Sequence, residues 1–350
     1  MKRLTVWALL ATLVVAGSAF AAPVRIAENA TFASGSPATT SNDDSCDIGT
    51  APAATLLLPY FEVSSNPAGE TTIFTITNVS RLPQIAHVTL WTDLTYPVID
   101  FKIYLTGYDV QSINLHDVIW RGIIAPDGPG TSPTNTTISP RGALSALNSA
   151  NAAVDFSGCG NLPGTIPQAY LTRMQNAFTM GVGTTVSGTQ DCAVVGNVHT
   201  NAVGYATIDV VRNCLFGLPV SLSYYQNEIG FDNVLVGDFQ QVDSTNNFAQ
   251  GNPMVHIRAI PDGGDAFTET NLPRTFYQRW SGGIDRRQPL PARFASRWIN
   301  GGTGSFQTSF KIWREGVATG AVGCPNYATN NTLFTEMLTF DERENHWGIT

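Results

Sequence analysis

Five side chains on two neighbouring strand-like runs carry the first chemical signal in this sequence. In the first run, His87, Trp91 and Asp93 alternate with Ala86, Val88 and Leu90. In the second, Lys102 and Tyr104 alternate with Phe101, Ile103 and Leu105. Successive side chains leave a pleated strand on opposite sides, so the five share one face and the apolar set shares the other. Aromatic rings beside hydrogen-bonding groups form a platform on which a sugar ring can stack. The same face becomes core if another element covers it, because large aromatics on strands mostly pack inward.

A second signal is electrostatic. Between Asn271 and Arg314 lie Arg274, Arg279, Arg286, Arg287, Arg293, Arg297, Lys311 and Arg314, opposed only by Asp285. The whole chain is acidic, with 19 Lys and Arg against 27 Asp and Glu. So uneven a distribution needs water, carboxylates from elsewhere, or an external anion as its partner. Arginine forks match carboxylate, sulfate or phosphate. Arg286, Arg287 and Arg293 flank Gln288-Pro289-Leu290-Pro291, whose prolines favour an extended surface loop. These three are the candidate contacts for an anionic glycan.

Other chemistry is thinner. Asp262 with Asp265, and Asp243 with Asn246 and Asn247, offer oxygen ligands for calcium, but neither set matches an EF-hand loop, and Asp and Asn favour turns anyway. No cofactor or other metal is expected. The five histidines, His87, His116, His199, His256 and His346, are scattered. Nucleophile elbows, HExxH, phosphate loops and dinucleotide fingerprints are missing from the sequence. The cysteines are Cys46, Cys159, Cys192, Cys214 and Cys324, an odd count without zinc-binding spacing. Cys159 with Cys192 would staple the candidate helix between them, Cys214 with Cys324 is the next pairing, and Cys46 is left over.

The elements that must position these residues read as β-strands. Ala54–Val63, Thr71–Leu115, Gly204–Val211, Phe231–Val242, Met254–Ile260, Phe306–Trp313 and Leu333–Phe340 alternate or run apolar between Gly/Pro turns. Pro59 inside the first run predicts an edge position or a bulge. Pro167–Phe178 predicts a helix, with Tyr170, Leu171, Met174 and Phe178 on one stripe. The pattern predicts an all-β, antiparallel two-sheet sandwich, Ig-like or jelly-roll in style, with a loop and short-helix excursion over 126–200.

The N-terminus sets the compartment. Lys2 and Arg3 precede an apolar run from Leu4 to about Val15, then Ala19-Phe20-Ala21. This pattern predicts a secretory signal over 1–22, cleaved after Ala21 or Ala22, rather than a transmembrane anchor. A flexible leader over 23–45 and a β-sandwich region over 46–350 follow, with 261–350 as a candidate second subdomain. The acidic, weakly charged surface argues against nucleic-acid partners.

The phrases LLLPYFEV, AHVTLWTD, FKIYLTGYDVQSINL, GYATIDVV, NFAQGNPMVHIRA and DRRQPLPARFASRW together make the chain similar to a set of uncharacterised exported bacterial β-rich proteins. That resemblance covers most of the mature chain and implies no catalytic residues. The expectation is an exported, non-catalytic β-sandwich that binds a glycan, a cell-surface or extracellular protein, or helps build an extracellular structure. The alternative is a secreted carbohydrate-active enzyme using paired carboxylates.

Overall fold

The structure is a computed structural model. It describes residues 48–49, 51–124, 154–155, 166, 168–184, 191–192, 194–215, 217–219, 223–259, 296–301, 306–312, 318–319, 326–327, 337–340, 343 and 346–349.

Strands dominate, and they form two antiparallel sheets. In chain order they are β1 (Ile48–Gly49), β2 (Thr55–Val63), β3 (Glu70–Asn78), β4 (Gln84–Thr92), β5 (Pro97–Leu105) and β6 (Val110–Asn114). After helix α1 (Gln168–Met180) come β7 (Gly183–Thr184), β8 (Asp191–Cys192) and β9 (Ala202–Val211), then β10 (Leu235–Asp243), β11 (Phe248–Pro253) and β12 (Val255–Ile257). The larger sheet has the order β1-β12-β2-β9-β4-β5 and the smaller β11-β10-β3-β6, while β7 and β8 pair only with each other. This is the two-sheet sandwich that the alternation predicts. The later segments contribute isolated pairs, among them Asn300–Gly301 with Phe306–Gln307 and Met337–Phe340 with His346–Ile349.

The apolar alternation forms the space between the sheets. Ala86, Val88 and Leu90, Phe101, Ile103 and Leu105, and Ala206, Ile208 and Val210 meet Phe74, Ile76, Leu235 and Phe239 in one buried cluster. Strand β2 reaches it with both halves only because its register breaks. Leu58 pairs with Ala206 and Phe61 pairs with Gly204, so β2 carries one extra residue against β9. That bulge switches the inward parity from Leu56 and Leu58 to Phe61 and Val63. It falls at Pro59, which has no N–H to give to a ladder. Pro59 therefore marks a bulge, and it lies past the Thr55–Leu57 stretch of β2 that β12 pairs.

Helix α1 packs into the same core through Leu171, Met174, Ala177 and Phe178, while Tyr170 is half-exposed. Its Phe178 ring meets Phe61 edge-on, with centroids 5.4 Å apart. The Gln175 amide donates to the Ile119 carbonyl at 3.0 Å and ties the helix to the chain beyond β6.

The opposite face of the larger sheet is also covered. A second buried cluster joins Leu57, Ile85, Trp91, Tyr104, Tyr205, Val211 and Ile257 to Val154, Cys214, Tyr224 and Ile229. The covering piece includes a single π-helical turn, Tyr224–Glu228. As a result every residue of β4 and β9 is buried, on both faces.

Candidate functional site

Four of the five residues expected to form a sugar platform, His87, Trp91, Lys102 and Tyr104, are brought onto one side of the larger sheet, but the covering layer closes over them. His87, Trp91, Lys102 and Tyr104 are 0–3% exposed. Trp91 stacks on Tyr205 and donates its indole N–H to Thr207 Oγ1 at 2.8 Å. The physical reason is the cover formed by Val154, Cys214, Tyr224 and Ile229, whose contact with this face is non-local and leaves no trace in strand alternation. Asp93 stays partly exposed and holds the loop before β9, accepting from the Asn197 backbone N–H at 3.0 Å, from Asn197 Nδ2 at 2.7 Å, and lying 2.9 Å from His199 Nε2. The platform is therefore a correction: these side chains are packing and polar core.

A row of polar groups runs across this covered face. Lys102 lies opposite His87, His87 opposite Asp209, and Asp209 opposite Thr55, on four adjacent strands. Thr55 Oγ1 donates to Asp209 Oδ1 at 2.6 Å, and the Tyr224 hydroxyl lies 2.7 Å from Asp209 Oδ2. His87 bridges Tyr224 on Nδ1 and Asp100 Oδ2 on Nε2, both at 3.1 Å. Burial pulls the His87 imidazole below its ordinary pKa, against the Asp100 hydrogen bond, which pulls it up. Burial likewise lowers the Lys102 ammonium, opposed by Asp100 and Glu228.

An open concave feature among the described residues lies elsewhere, at the end of the smaller sheet. Ser65 and Pro67 from the β2–β3 turn, Thr71 on β3, Asn114 at the end of β6, and His116, Asp117, Trp120 and Arg121 from the following π-helical turn line a cleft of about 710 Å³. Its walls are built by short-range bonds. Thr71 Oγ1 donates to Asn114 Oδ1 at 2.7 Å, which also accepts the His116 backbone N–H at 3.0 Å. Arg121 Nη1 reaches Asp117 Oδ1 at 2.7 Å. The Trp120 indole N–H reaches the Val63 carbonyl at 3.3 Å, which fixes the ring beside the cleft. Gly122, at φ 70°, turns the chain away in a conformation that side chains resist. Alternation ends at Asn114, so period-two reading did not find this site. Its sequence trace is the i, i+4 spacing of Asp117 and Arg121.

A carboxylate group lies near this end as well. The Tyr60 hydroxyl donates to Glu62, which also accepts Asn201 Nδ2 at 2.8 Å, and the Lys311 ammonium sits 4.9 Å above the Tyr60 ring. Glu70 faces Asp243 directly across β3 and β10. Burial raises the Glu70 carboxyl, with Glu62 and Asp243 adding and Lys311 opposing.

The other sequence expectations fall as follows. Arg286, Arg287 and Arg293 lie outside the described residues, as do Asp262 and Asp265. Asp243 spends its oxygens on its own turn, accepting from the Thr245 and Asn246 backbone and from Asn246 Nδ2 at 2.6 Å. Among the described residues no group of three His, Cys, Asp or Glu side chains is placed to hold a metal ion. Cys214 is buried and disulfide-bonded. Among the described residues no helix is long and apolar enough to cross a membrane.

No family model, curated protein or solved structure matches the chain.

Proposed function

We propose that this chain is an exported, non-catalytic β-sandwich protein that binds a glycan in the cleft beyond β6. The observation that carries the reading is the composition of that cleft. One aromatic ring, Trp120, stands beside hydroxyl, amide, imidazole, carboxylate and guanidinium groups in a space of about 710 Å³. Ligand sites of this size combine an apolar surface with a few placed polar groups, and a sugar presents both an apolar ring face and hydroxyls to match. Arg121 is mostly exposed, and beyond its bond to Asp117 its guanidinium keeps N–H groups with which to engage a ligand carboxylate or sulfate.

The arginine-rich segment extends this reading to acidic glycans, with Arg286, Arg287 and Arg293 as contacts. Such binding weakens with salt, because exposed charges are screened over about 8 Å at physiological ionic strength. Export rests on the leader pattern, and mass spectrometry of the mature N-terminus at Ala22 or Pro23 tests it.

The deciding experiment is calorimetric titration of neutral and acidic oligosaccharides into the mature chain, the Arg121→Ala variant and the Arg286→Ala/Arg287→Ala double variant. Loss of binding by Arg121→Ala at an unchanged melting temperature supports the cleft. Wild-type affinity in Arg121→Ala, or no heat with any saccharide, overturns it. The enzyme reading would rest on Glu62 and Glu70, whose charges interact. Hydrolysis of a bound oligosaccharide that stops in Glu70→Gln would favour that alternative.

A further inference from the structure

The imidazole of His116 stands in the wall of the cleft beyond β6, and no hydrogen bond holds it there. The residue is 9% exposed, and its Nε2 is closed to bulk water and has no hydrogen-bond partner among the described residues. Buried polar atoms are satisfied as a rule, because an unpaired one has given up its hydration for nothing. The local fold does not call for a histidine at this point. His116 precedes the π-helical turn Asp117–Arg121, where a Ser, Thr, Asp or Asn would cap the backbone, and its side chain makes no such cap. The apolar packing is done by its neighbours Leu115 and Val118, both wholly buried.

Asn114, at the end of β6, narrows the chemistry of a partner. Its Oδ1 accepts the His116 backbone N–H at 3.0 Å and the Thr71 hydroxyl at 2.7 Å. A backbone N–H can only donate, so the orientation of the amide is fixed and Nδ2 is the atom left over. Nδ2 makes no hydrogen bond among the described residues, and Asn114 lines the same cleft. An amide N–H asks for an acceptor. A hydroxyl accepts from it and also meets either tautomer of the imidazole, since it can donate or accept. An ionised oxygen meets only the tautomer protonated at Nε2.

We infer that His116 determines the specificity of this cleft by taking a sugar hydroxyl on Nε2, beside Asn114 Nδ2, an inference that rests on the glycan reading above. Nε2 comes within reach by rotation of the imidazole about its own side-chain bonds toward the cleft. No hydrogen bond of the ring resists that rotation, since it makes none among the described residues. Trp120, tied through its N–H to the Val63 carbonyl, offers its ring to the apolar face of the same sugar. The unit recognised here therefore carries a free hydroxyl next to an apolar ring face. An inorganic anion or a simple carboxylate has neither.

The test is calorimetric titration of cello-, xylo- and chito-oligosaccharides and of oligogalacturonate into the mature chain and its His116→Phe and His116→Gln variants, with a thermal melt of each. Phe keeps a flat ring and removes the nitrogen, while Gln returns a hydrogen-bonding group. His116→Phe should melt at or above the wild-type temperature, because an unpaired buried polar atom is gone. It should bind the saccharide that wild type binds about tenfold more weakly, for the loss of a hydrogen bond made only in the complex. His116→Gln should regain part of that affinity. Wild-type affinity in His116→Phe overturns the inference and leaves the cleft reading to Arg121→Ala. A melting temperature lowered in both variants marks a packing role and also overturns it. No heat from wild type with any of these saccharides overturns the inference and the cleft reading together. If His116→Phe does not fold, nitrogen resonance spectra of wild type decide. The imidazole signals that His116→Gln lacks must move on addition of the saccharide, and unmoved signals overturn the inference.

Discussion

Trp91 and Tyr205 face each other on β4 and β9 and stack with ring centroids 5.8 Å apart and planes 4° from parallel. The pair closes one end of the covered face, and the Trp91 N–H finds its partner in Thr207, one pleat further along β9. Trp91→Ala should cost roughly 3–5 kcal/mol, by loss of packing and of the stack. Thr207→Val keeps the volume but strands the indole N–H, at roughly 1–3 kcal/mol. Denaturant unfolding checks both. A near-wild-type Trp91→Ala would mean that this face is not core.

Gly204 is required by close approach. A Cβ there would lie 2.1 Å from the Trp91 carbonyl oxygen and 2.7 Å from the Phe61 ring. It pairs with Phe61 just past the bulge, where β2 and β9 resume their register. Gly204→Ala should destabilise by roughly 1–3 kcal/mol or more, because the obstacle on one side is backbone. Thermal melts of the variant check this.

Glu70 gives a pH signature of its own. Its carboxyl is raised, chiefly by burial and then by Glu62 and Asp243. A carboxyl raised in the folded chain ionises less readily there than in the unfolded one. Its charge therefore costs stability at neutral pH, and the cost fades as pH falls through the folded value. Glu70→Gln should be more stable than wild type at neutral pH by less than about 1 kcal/mol, since the site is partly solvated. The difference should vanish near about pH 4 in paired chemical denaturations.

The Cys214 disulfide should be visible as a crosslinked peptide in non-reducing digests, and its reduction should lower stability by roughly 2–5 kcal/mol. Equal melting temperatures with and without reductant would show that this bridge does not hold the fold. The pairing of Cys159 with Cys192, expected because the two bracket the helix, is read in the same digest.

Much of the fold was legible because strand alternation is a local property. Val88 faces away from His87, and Phe101 from Lys102, whatever the rest of the chain does, since the pleat alone decides it. Pro59 announced an edge or a bulge for an equally local reason, the missing N–H, and the pairing with β9 shows the bulge. The helix over Gln168–Met180 was legible from its stripe, of which Leu171, Met174 and Phe178 are buried and Tyr170 is not; Ala177 is buried with them.

What alternation cannot say is what lies beyond a face. His87, Asp100, Asp209, Tyr224 and Thr55 come from five separated segments, and their bonds span up to 154 positions. The same pattern of outward His, Trp and Lys fits an open platform and a covered polar layer equally well. The sequence determined which side chains share each side of the sheet, through a period set by the backbone. Tertiary structure alone decided that Val154, Cys214, Tyr224 and Ile229 cover one of those sides, because covering a surface depends on contacts between segments that no local period records.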